Sequence, residues 1–440
     1  MERSGPRPTA FGASRPLRGT IRVPGDKSIS HRALICAAMA RGRSRIEGLS
    51  EGGDVRSTAA ALEAMGVRIA RDGTGWAVDG VGAGALLQPA GALDLGNSGT
   101  SARLLMGLVA SHPIAVAFAG DASLSRRPME RVAAPLRRIG AEMEAAPGSR
   151  LPLTVRGLCP AVPRTHRMEL PSAQVKSALL LAALNIPGIT RIVEPVPTRD
   201  HGERLLKLFG AEIAVEGVEI AVRGEAELRP RSLTVPGDPS AAAFLAVAAL
   251  IVPGSELRIE GVGINRTRIG LFELLGDMGG DIAVSNRREE DGEPVADLDV
   301  RHSMLRGIDV PPEIAPRMID EFPILFVAAA FAEGPTRTGG LGELRLKESD
   351  RLAAMAAGLR GIGVRVEESE DGLAVTGTGG APLPGPLPDA PAIDPRLDHR
   401  IAMSFAVAGL HSKQPVTVAG MSAADTSFPG FAPLLRDLAR

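Results

Sequence analysis

The amino-acid sequence predicts an α/β protein of two domains, each assembled from three similar units that mix strands and helices. At 440 residues the chain is longer than one hydrophobic core usually supports. The tetrapeptide Val23-Pro24-Gly25-Asp26 recurs as Val235-Pro236-Gly237-Asp238, which indicates two related halves. A second pattern, a short strand followed by a polar loop, an amphipathic helix and another strand, begins roughly every 75 residues. Its starts lie near Ile46, Val116, Arg191, Leu257, Thr336 and Val416.

The recurring tetrapeptide also predicts where the chain passes between the domains. If it marks the same point in both halves, one domain spans residues 24–235 and the other combines residues 1–23 with residues 236–440. Two crossings of this kind are typical of a hinge. Residues 1–15 contain Arg and Pro but no apolar stretch, so we interpret them as a loose tail and not as a secretory signal.

The composition argues against several classes of protein. A formal net charge of -1, with 3% aromatic residues, one Trp and no Tyr, does not fit a protein that coats nucleic acid. No apolar run is long enough to span a membrane without Pro, Gly or charged residues inside it. Two cysteines fit a reducing compartment, and the seven histidines show no metal-binding spacing. We therefore expect a cytoplasmic protein with no metal site and no nucleic-acid or membrane partner.

The stretch after the first Val-Pro-Gly-Asp predicts a tight turn followed by a helix. Asp26 or Ser28 can cap the helix N-terminus, and Gly42 can end the helix. Lys27, Ser28 and Arg32 place two cations and a hydroxyl where free amides and the helix dipole already favour an anion. A nucleotide-binding loop would require Gly at the position of Asp26, so we favour a simple phosphate or carboxylate guest. A solvated surface helix with no ligand remains the alternative.

Further helices are predicted to begin with polar residues and to continue as apolar segments. They begin at Asn97-Ser98-Gly99-Thr100, Ser172-Ala173-Gln174, Asp238-Pro239-Ser240, Asp320-Glu321-Phe322-Pro323 and Asp398-His399-Arg400. Cations follow within two turns in several of them, as at Arg103, Lys176 and Arg400. If the helices run parallel inside their domains, as a repeat would require, their N-termini converge and attract anions.

Two carboxylates are placed to take part in chemistry. Asp320 heads one of these helices, and Glu348 lies shortly before Arg351. In isolation Asp320 would be a helix cap and Glu348 a partner of Arg351 on a surface helix, and these simpler roles remain alternatives. Among so many Lys and Arg residues, however, a carboxylate can accept or donate a proton without repelling anionic substrates.

Six motifs follow one another along nearly the whole chain. They are Gly25-Asp26-Lys27-Ser28-Ile29-Ser30-His31-Arg32, Gly96-Asn97-Ser98-Gly99-Thr100, Arg126-Arg127-Pro128-Met129, Ser172-Ala173-Gln174, Lys347-Glu348-Ser349-Asp350-Arg351 and Asp398-His399-Arg400-Ile401-Ala402-Met403. Together they resemble the 5-enolpyruvylshikimate-3-phosphate synthase family. The resemblance implies two domains, each of three βαβαββ units arranged as an inside-out α/β barrel, that close on their substrates.

The resemblance also implies a reaction and its site. An enolpyruvyl group would pass from phosphoenolpyruvate to the 5-hydroxyl of shikimate 3-phosphate, with release of phosphate, in the shikimate pathway to chorismate and the aromatic amino acids. No cofactor is implied, and we expect a monomer with small-molecule substrates. By matching position, shikimate 3-phosphate is expected to contact Lys27, Ser28, Arg32, Ser172, Ala173, Gln174, Arg199, Asp320 and Lys347. Phosphoenolpyruvate is expected to contact Lys27, Gly99, Arg127, Gln174, Arg351 and Arg400.

The same resemblance implies roles for three catalytic residues. Asp320 is expected to accept the proton of the hydroxyl, and Glu348 to donate a proton to the methylene carbon. Lys27 is expected to stabilise charge and is the second candidate for the proton donor. The sequence leaves the division of these roles open.

Other classes of protein fit the sequence less well. An enolpyruvyl transferase that acts on a UDP-sugar shares the fold, but it normally carries a loop Cys that residues 121–131 lack. A kinase would need the nucleotide loop that is missing here. A repeat scaffold without activity would have no need of Lys27, Asp320 and Glu348 at these helix starts.

Two positions bear on ligand binding in particular. Thr426-Ser427 precede Phe428-Pro429 where many members of the family carry a Lys, so one phosphate contact is expected to be missing or supplied elsewhere. Gly99 lies at the start of a helix in the expected phosphoenolpyruvate subsite, which the inhibitor glyphosate occupies in the family. Since Gly leaves this subsite open, we predict sensitivity to glyphosate. Because glyphosate is longer than phosphoenolpyruvate in the family's subsite, a methyl group at position 99 is expected to clash with the inhibitor before it hinders the substrate.

Overall fold

The computed structural model describes residues 8–388 and 390–440, and the chain packs into two compact units. Within the described residues, unit 1 contains the segment up to Pro24 together with Gly237–Arg288 and Pro294–Arg440. Unit 2 contains Gly25–Pro236 and the short segment Glu289–Glu293. That short segment differs from the expected division, which assigned all of residues 236–440 to one domain.

The strands are, in chain order, β1 Thr9–Phe11, β2 Arg18–Arg22, β3 Arg41–Glu47, β4 Arg68–Asp72, β5 Gly75–Val81, β6 Leu93–Asp94, β7 Ala115–Ala119, β8 Glu142–Ala146, β9 Arg150–Arg156, β10 Thr165–Arg167, β11 Ile189–Val193, β12 Ile213–Glu216, β13 Glu219–Arg223, β14 Ser232–Thr234, β15 Glu256–Gly263, β16 Asp281–Glu290, β17 Glu293–Arg301, β18 Pro335–Arg337, β19 Arg365–Glu368, β20 Leu373–Thr376 and β21 Val416–Val418.

The helices are α1 Lys27–Met39, α2 Gly53–Ala64, α3 Gly99–Ala110, α4 Glu130–Arg138, α5 Ala173–Ala183, α6 His201–Leu208, α7 Pro239–Ile251, α8 Gly270–Asp277, α9 Ala315–Met318, α10 Phe322–Phe331, α11 Arg351–Gly361, α12 His399–Gly409 and α13 Phe431–Leu438. Short 3-10 helices span Leu124–Arg126, Pro312–Ile314, Gly342–Leu346 and Met421–Thr426.

Unit 2 repeats one sheet pattern. Its sheets have the strand orders β14-β3-β5-β4, β6-β7-β9-β8 and β10-β11-β13-β12. In each sheet the first two strands are parallel and the remaining pairs are antiparallel. Because β14 comes late in unit 2 and pairs with β3 near its start, the unit closes on itself.

Unit 1 contains the sheets β16-β17-β15-β2, β18-β20-β19 and β1-β21. The predicted repeat starts each fall in a strand of a different sheet. Ile46 lies in β3, Val116 in β7, Arg191 in β11, Leu257 in β15, Thr336 in β18 and Val416 in β21. The predicted α/β class and its six repeats are therefore confirmed.

The helices divide into a buried set and a half-exposed set, which correspond to the apolar and the amphipathic helices that the sequence predicts. In unit 2 the helices α1, α3 and α5 are buried over most of their length, and in unit 1 the same is true of α7, α10 and α12. Helix α3 packs closely on α5 because residue 107 is Gly, where a Cβ would lie 2.2 Å from the carbonyl oxygen of Ala178. Strands such as β9 alternate buried and exposed residues, so each such sheet has one solvated face. In each unit, therefore, these helices form the interior.

Two local expectations are corrected. Helix α1 ends at Met39, and Gly42 lies in β3, so Gly42 does not end the helix. Within the expected loose tail, Thr9–Phe11 form β1 and pair with β21, and the Phe11 side chain is buried. Residues 1–7 of that tail lie outside the described residues.

The segment Glu289–Glu293 is held in unit 2 by side-chain contacts. Glu293 Oε1 lies 2.7 Å from Nδ1 of the buried His201, and Asp291 Oδ2 accepts a hydrogen bond from the Thr234 amide at 2.8 Å.

In the described part of the chain, no helix combines the length and the apolar character needed to cross a membrane.

Candidate active site

The N-terminus of α1 in unit 2 places Lys27 beside a carboxylate. Asp26 caps the helix by accepting a hydrogen bond from the Ile29 amide at 2.9 Å, so Asp26 is the cap among the two predicted candidates. Lys27 Nζ lies 3.1 Å from Asp54 Oδ2, and both side chains are mostly buried. Asp54 belongs to the first turn of α2. The Lys27 ammonium is therefore fixed in position and has a nearby counter-ion.

Arg32 lies one turn further along α1 and is 4% exposed. It donates to Ser177 Oγ from Nε at 3.0 Å and from Nη2 at 2.7 Å. It also donates from Nη1 to the Ser28 carbonyl at 2.8 Å and from Nη2 to the Ala173 carbonyl at 3.4 Å. Because these hydrogen-bond acceptors are uncharged, they orient the guanidinium without neutralising it. This is the arrangement that an anionic guest requires.

Two charged residues near Arg32 act on it in opposite senses. The pKa of Arg32 is lowered to about 10, chiefly because the side chain is buried; the Glu203 carboxylate opposes this shift and Arg199 adds to it. Burial also raises the pKa of Glu203, and Glu203 Oε1 lies 2.7 Å from Nζ of the buried Lys176. Arg199 precedes α6 in the chain. Two of the predicted shikimate 3-phosphate ligands, Arg32 and Arg199, are therefore close enough to influence each other.

Hydrogen bonds join the starts of α2, α3 and α5. Gln174 Nε2 in α5 donates to Thr100 Oγ1 in α3 at 2.9 Å. Ser101 Oγ donates to the carbonyl of Asp54 in α2 at 3.2 Å. Ser172 caps α5 with its side chain. Together with the contact between Arg32 and Ala173, these bonds bring the polar starts of α1, α3 and α5 together within unit 2.

Arg127 lies against the start of α3. Its Nη2 donates to Asn97 Oδ1 at 2.6 Å and to Ser123 Oγ at 3.3 Å, and the residue is 8% exposed. A Cβ at Gly99 would lie 2.9 Å from Arg127 Nη1 and 2.7 Å from Arg103 Nη1. Glycine at position 99 therefore leaves room for two guanidinium groups beside this helix N-terminus.

In unit 1 the buried Arg351 is surrounded by three carboxylates. Its side chain is 1% exposed. Nη1 lies 3.2 Å from Asp320 Oδ1, and Nη2 lies 2.5 Å from Glu348 Oε2. Nε lies 2.9 Å from Asp398 Oδ2. The predicted proton acceptor and proton donor, Asp320 and Glu348, therefore share one guanidinium.

The three carboxylates keep Arg351 charged and differ in their exposure. Burial by itself lowers the pKa of the Arg351 guanidinium, but Asp398, Glu348 and Asp320 outweigh burial, and the pKa is raised. The side chain of Asp398 is 0% exposed, whereas those of Asp320 and Glu348 are each 20% exposed. Asp398 is therefore a fixed counter-ion, and Asp320 and Glu348 are the two that can meet a substrate.

Arg400, at the start of α12, contacts Asp320 from a second side. Its Nη1 donates to the Asp320 carbonyl at 3.0 Å, and its Nη2 lies 3.8 Å from Asp320 Oδ2. Asp398 caps α12 by accepting a hydrogen bond from the Arg400 amide at 2.9 Å. Asp320 thus lies next to both Arg351 and Arg400, two of the predicted phosphoenolpyruvate ligands.

The simpler roles considered for the two carboxylates do not describe the structure. Glu321, and not Asp320, occupies the N-cap position of α10, and it makes no capping hydrogen bond with its side chain. Glu348 does pair with Arg351, but this arginine is buried and does not lie on a surface helix. Lys347 Nζ lies 2.7 Å from Glu343 Oε1, a partner that the sequence did not predict.

Sequence reasoning assigned no role to Asp54, Asp398 or Glu321. Asp398 belongs to one of the six motifs, and Asp54 is an acidic residue in the first turn of α2, but neither signal reveals the partner. Among the residues that the structure describes, no group of three or more His, Cys, Asp or Glu side chains is arranged to hold a metal ion. The three carboxylates around Arg351 are instead engaged by its guanidinium.

Comparison with known proteins shows the family. The family model described as EPSP synthase (3-phosphoshikimate 1-carboxyvinyltransferase) matches residues 12–435. The chain belongs to the EPSP synthase family. Among its relatives in this family, the 3-phosphoshikimate 1-carboxyvinyltransferase of Sphingopyxis alaskensis is 61% identical, over 98% of each chain. That of Novosphingobium aromaticivorans is 59% identical, over 99% of this chain and 100% of the relative.

Solved structures agree with this assignment. An EPSP synthase from Acinetobacter baumannii matches with a TM-score of 0.86 and 42% identity, over 98% of this chain and 97% of that chain. The enolpyruvyl transferase NikO from Streptomyces tendae matches with a TM-score of 0.76, over 99% of this chain and 98% of that chain. At 22% identity NikO shows a shared fold only. The fold predicted for an EPSP synthase family member is confirmed.

Proposed function

We propose that the chain transfers the enolpyruvyl group of phosphoenolpyruvate to the 5-hydroxyl of shikimate 3-phosphate and releases phosphate. This is a step of the shikimate pathway to chorismate and the aromatic amino acids, and family membership over nearly the whole chain supports it. The structural observation that carries the proposal is the pair of carboxylates, Asp320 and Glu348, held by the one guanidinium of Arg351. Addition followed by elimination needs both a proton acceptor and a proton donor.

The proposed ligands follow the motifs of the family. We assign to shikimate 3-phosphate the residues Lys27, Ser28, Arg32, Ser172, Ala173, Gln174, Arg199, Asp320 and Lys347. We assign to phosphoenolpyruvate the residues Lys27, Gly99, Arg127, Gln174, Arg351 and Arg400. The hydrogen bonds of Arg32 to uncharged groups support its assignment to a phosphate, because its charge is oriented and still uncompensated by them.

The reaction proceeds in two steps. In the first, the 5-hydroxyl oxygen bonds to C2 of phosphoenolpyruvate, the hydroxyl proton passes to Asp320, and C3 gains a proton from Glu348. Lys27 stabilises the tetrahedral intermediate and is the second candidate for the donor. In the second step, C3 returns a proton to the Glu348 carboxylate, the bond between C2 and the phosphate oxygen breaks, and the departing phosphate takes up the proton held by Asp320. The double bond re-forms and phosphate leaves.

Arg351 couples the two carboxylates during this cycle. When Asp320 gains a proton its pull on the guanidinium weakens, so Arg351 holds the charge of Glu348 more strongly. Because Asp398 is buried and stays bound to Nε, Arg351 keeps its position while the other two carboxylates exchange protons.

Phosphate release tests the proposed function directly. The chain is incubated with shikimate 3-phosphate and phosphoenolpyruvate together and with each one alone. In control reactions, a UDP-sugar or ATP takes the place of one of the two substrates. We expect phosphate only when both substrates are present, and an enolpyruvyl ether of shikimate 3-phosphate as the second product. Phosphate release with the UDP-sugar in place of shikimate 3-phosphate would instead support the sister reaction.

We further propose that the enzyme is a cytoplasmic monomer that acts on small molecules without a nucleic-acid or membrane partner. The net charge of -1 and the 3% aromatic content support this, because neither favours binding to a polyanion. Light scattering coupled to size-exclusion chromatography should give a mass near 45.7 kDa. Twice that mass would contradict the monomer.

A further inference from the structure

A chain of buried polar groups in unit 1 leads from the start of α7 to Arg400. Arg268 Nη2 donates to Ser240 Oγ at 2.8 Å and to Asp238 Oδ1 at 3.1 Å. Ser240 Oγ donates in turn to Glu321 Oε1. The same Glu321 oxygen lies 3.7 Å from Arg400 Nη1. Arg268, Ser240 and Glu321 are 2%, 4% and 2% exposed, so the chain is closed to solvent.

Two carboxylates therefore lie beside the Arg400 guanidinium, and they differ in their exposure and in their other partners. Asp320 Oδ2 lies 3.8 Å from Arg400 Nη2, is partly exposed and also contacts Arg351. Glu321 is fixed by Ser240 and buried. Its second oxygen, Oε2, is buried and accepts no hydrogen bond from the described residues. A carboxylate can accept several hydrogen bonds, so Glu321 has capacity left for the Arg400 guanidinium.

The difference matters once Asp320 reacts. In the proposed reaction Asp320 gains a proton in the first step and loses it later, so its hold on Arg400 changes during turnover. Glu321 touches neither substrate in the proposed assignments, and its hydrogen bond to Ser240 does not depend on the reaction. Of the two carboxylates beside Arg400, Glu321 is therefore the one whose charge stays constant.

We propose that Glu321 is a positioning residue that draws Arg400 away from the Asp320 carboxylate and so keeps the guanidinium open to the anionic groups of phosphoenolpyruvate. The inference rests on the proposed function. Without the charge of Glu321, Arg400 pairs more closely with Asp320, and phosphoenolpyruvate must displace that carboxylate in order to bind. At saturating phosphoenolpyruvate the displacement is complete, so affinity suffers more than turnover.

The variant Glu321→Gln tests the charge, because Gln keeps the shape of the side chain and an oxygen for Ser240. We expect the KM for phosphoenolpyruvate to rise at least about tenfold, with kcat reduced less than about threefold. The KM for shikimate 3-phosphate should stay within about twofold. Ser240→Ala keeps the Glu321 charge but removes its hydrogen bond, and should raise the KM for phosphoenolpyruvate by about threefold. If Glu321→Gln does not fold, Ser240→Ala tests the inference in its place.

The matched control is Asp297→Asn, which neutralises a buried carboxylate paired with Arg258 at 2.8 Å in the sheet of unit 1. We expect both KM values of the control to equal those of the parent. A parallel rise of both KM values in Glu321→Gln, with a fall in melting temperature larger than in the control, would show a purely structural role and overturn the inference. An unchanged KM for phosphoenolpyruvate in an active variant overturns it as well. A parent chain that releases no phosphate would overturn the proposed function itself, and with it this inference.

Discussion

Asp320 Oδ1 lies 3.2 Å from Nη1 of the buried Arg351, and this contact joins the proposed proton acceptor to a proposed phosphoenolpyruvate ligand. Arg351 is held on its other nitrogens by Glu348 and Asp398, so it cannot turn away without leaving carboxylates unpaired. An incoming anion must therefore compete with Asp320 and Glu348, the two carboxylates that keep access to solvent. Substrate binding and proton transfer are linked through this one guanidinium.

Asp320→Asn should lower kcat far more than it weakens the binding of shikimate 3-phosphate. Asn keeps the size of the side chain and an oxygen for Arg351, but it cannot take up the hydroxyl proton. We expect kcat to fall at least about a hundredfold, which corresponds to roughly 2.7 kcal/mol of activation free energy. The KM for shikimate 3-phosphate should change less than about threefold. Steady-state kinetics with each substrate varied in turn measures both, and normal turnover with only a raised KM would make Asp320 a binding residue.

Lys27→Ala should nearly abolish turnover, because a methyl group cannot replace a charge fixed beside the substrates. We expect a loss of more than about a hundredfold in kcat. A variant of its counter-ion, Asp54, should lose activity to a smaller extent. Asp54→Asn leaves the Lys27 charge in place but removes the counter-ion 3.1 Å away, so its loss should be smaller, about tenfold. If Lys27→Ala retained activity within a few fold of the parent, Lys27 would have no part in the site.

The stability of the protein should fall in acid because of buried histidines such as His166 in β10. Burial, with Arg138 and Arg164, lowers the pKa of His166 to about 4. In the unfolded chain a histidine has a pKa near 6.5, so between about pH 6.5 and 4 the unfolded state binds the proton more readily. The contribution is complete above about pH 6.5 and is lost as the pH falls, by roughly 1 to 2 kcal/mol at pH 5.

Urea unfolding of the parent and of His166→Gln at pH 7.5 and pH 5 measures this effect. The variant should lose about 1 to 2 kcal/mol less of its unfolding free energy between the two pH values. It should not become insensitive to acid, since burial and then Lys27 and Arg32 also lower the pKa of His31. Equal losses in parent and variant would mean that His166 takes up its proton without opening the structure.

The fold could be predicted from the sequence because its signals are local and repeated. The tetrapeptide at Val23 and at Val235 marks corresponding points just before α1 and α7, and each predicted repeat start falls in a strand. The buried and half-exposed helices could be told apart for the same reason, since hydrophobic periodicity is a property of adjacent residues. By contrast, the pairing of Thr9–Phe11 with β21 depends on a strand at the far end of the chain, and no local signal announces it.

The site could be predicted as a set of residues but not as a set of pairs. Lys27, Glu348 and Arg351 lie in the six motifs, and Asp320 lies in one of the predicted polar helix starts. Asp54 pairs with Lys27, and Asp398 pairs with Nε of Arg351. Both contacts depend on the packing of elements that lie far apart in the sequence. Glu321 could not be identified for a different reason: it stands next to the more conspicuous Asp320, and it is held by Ser240, a contact between α7 and the start of α10.

Gly99 is where the structure changes the physical account of inhibition. The sequence led us to expect that a methyl group at this position would clash directly with glyphosate, which is longer than phosphoenolpyruvate in the same subsite. In the structure a Cβ at Gly99 would first meet Arg103 Nη1 at 2.7 Å and Arg127 Nη1 at 2.9 Å. Both atoms are ends of flexible side chains, so the methyl group can be accommodated once the guanidinium groups shift. Since Arg127 is a proposed phosphoenolpyruvate ligand, the substitution should weaken the binding of both the substrate and the inhibitor.

We therefore predict that the parent enzyme is inhibited by glyphosate and that Gly99→Ala raises the inhibition constant by more than about tenfold, since the methyl group and the displaced guanidinium groups narrow the subsite for the longer inhibitor at a cost of roughly 1 to 3 kcal/mol. The KM for phosphoenolpyruvate should rise too, by about two- to fivefold, because the displaced Arg127 serves the shorter substrate as well. Inhibition titrations on the parent and on Gly99→Ala at matched substrate saturation measure both effects. Gly276→Ala is the matched control, because a Cβ at Gly276 in α8 would meet no atom within 4 Å. A parent enzyme unaffected by millimolar glyphosate would contradict the predicted sensitivity. An inhibition constant that rises with no change in the KM for phosphoenolpyruvate would show that the methyl group acts on glyphosate directly and leaves Arg127 in place.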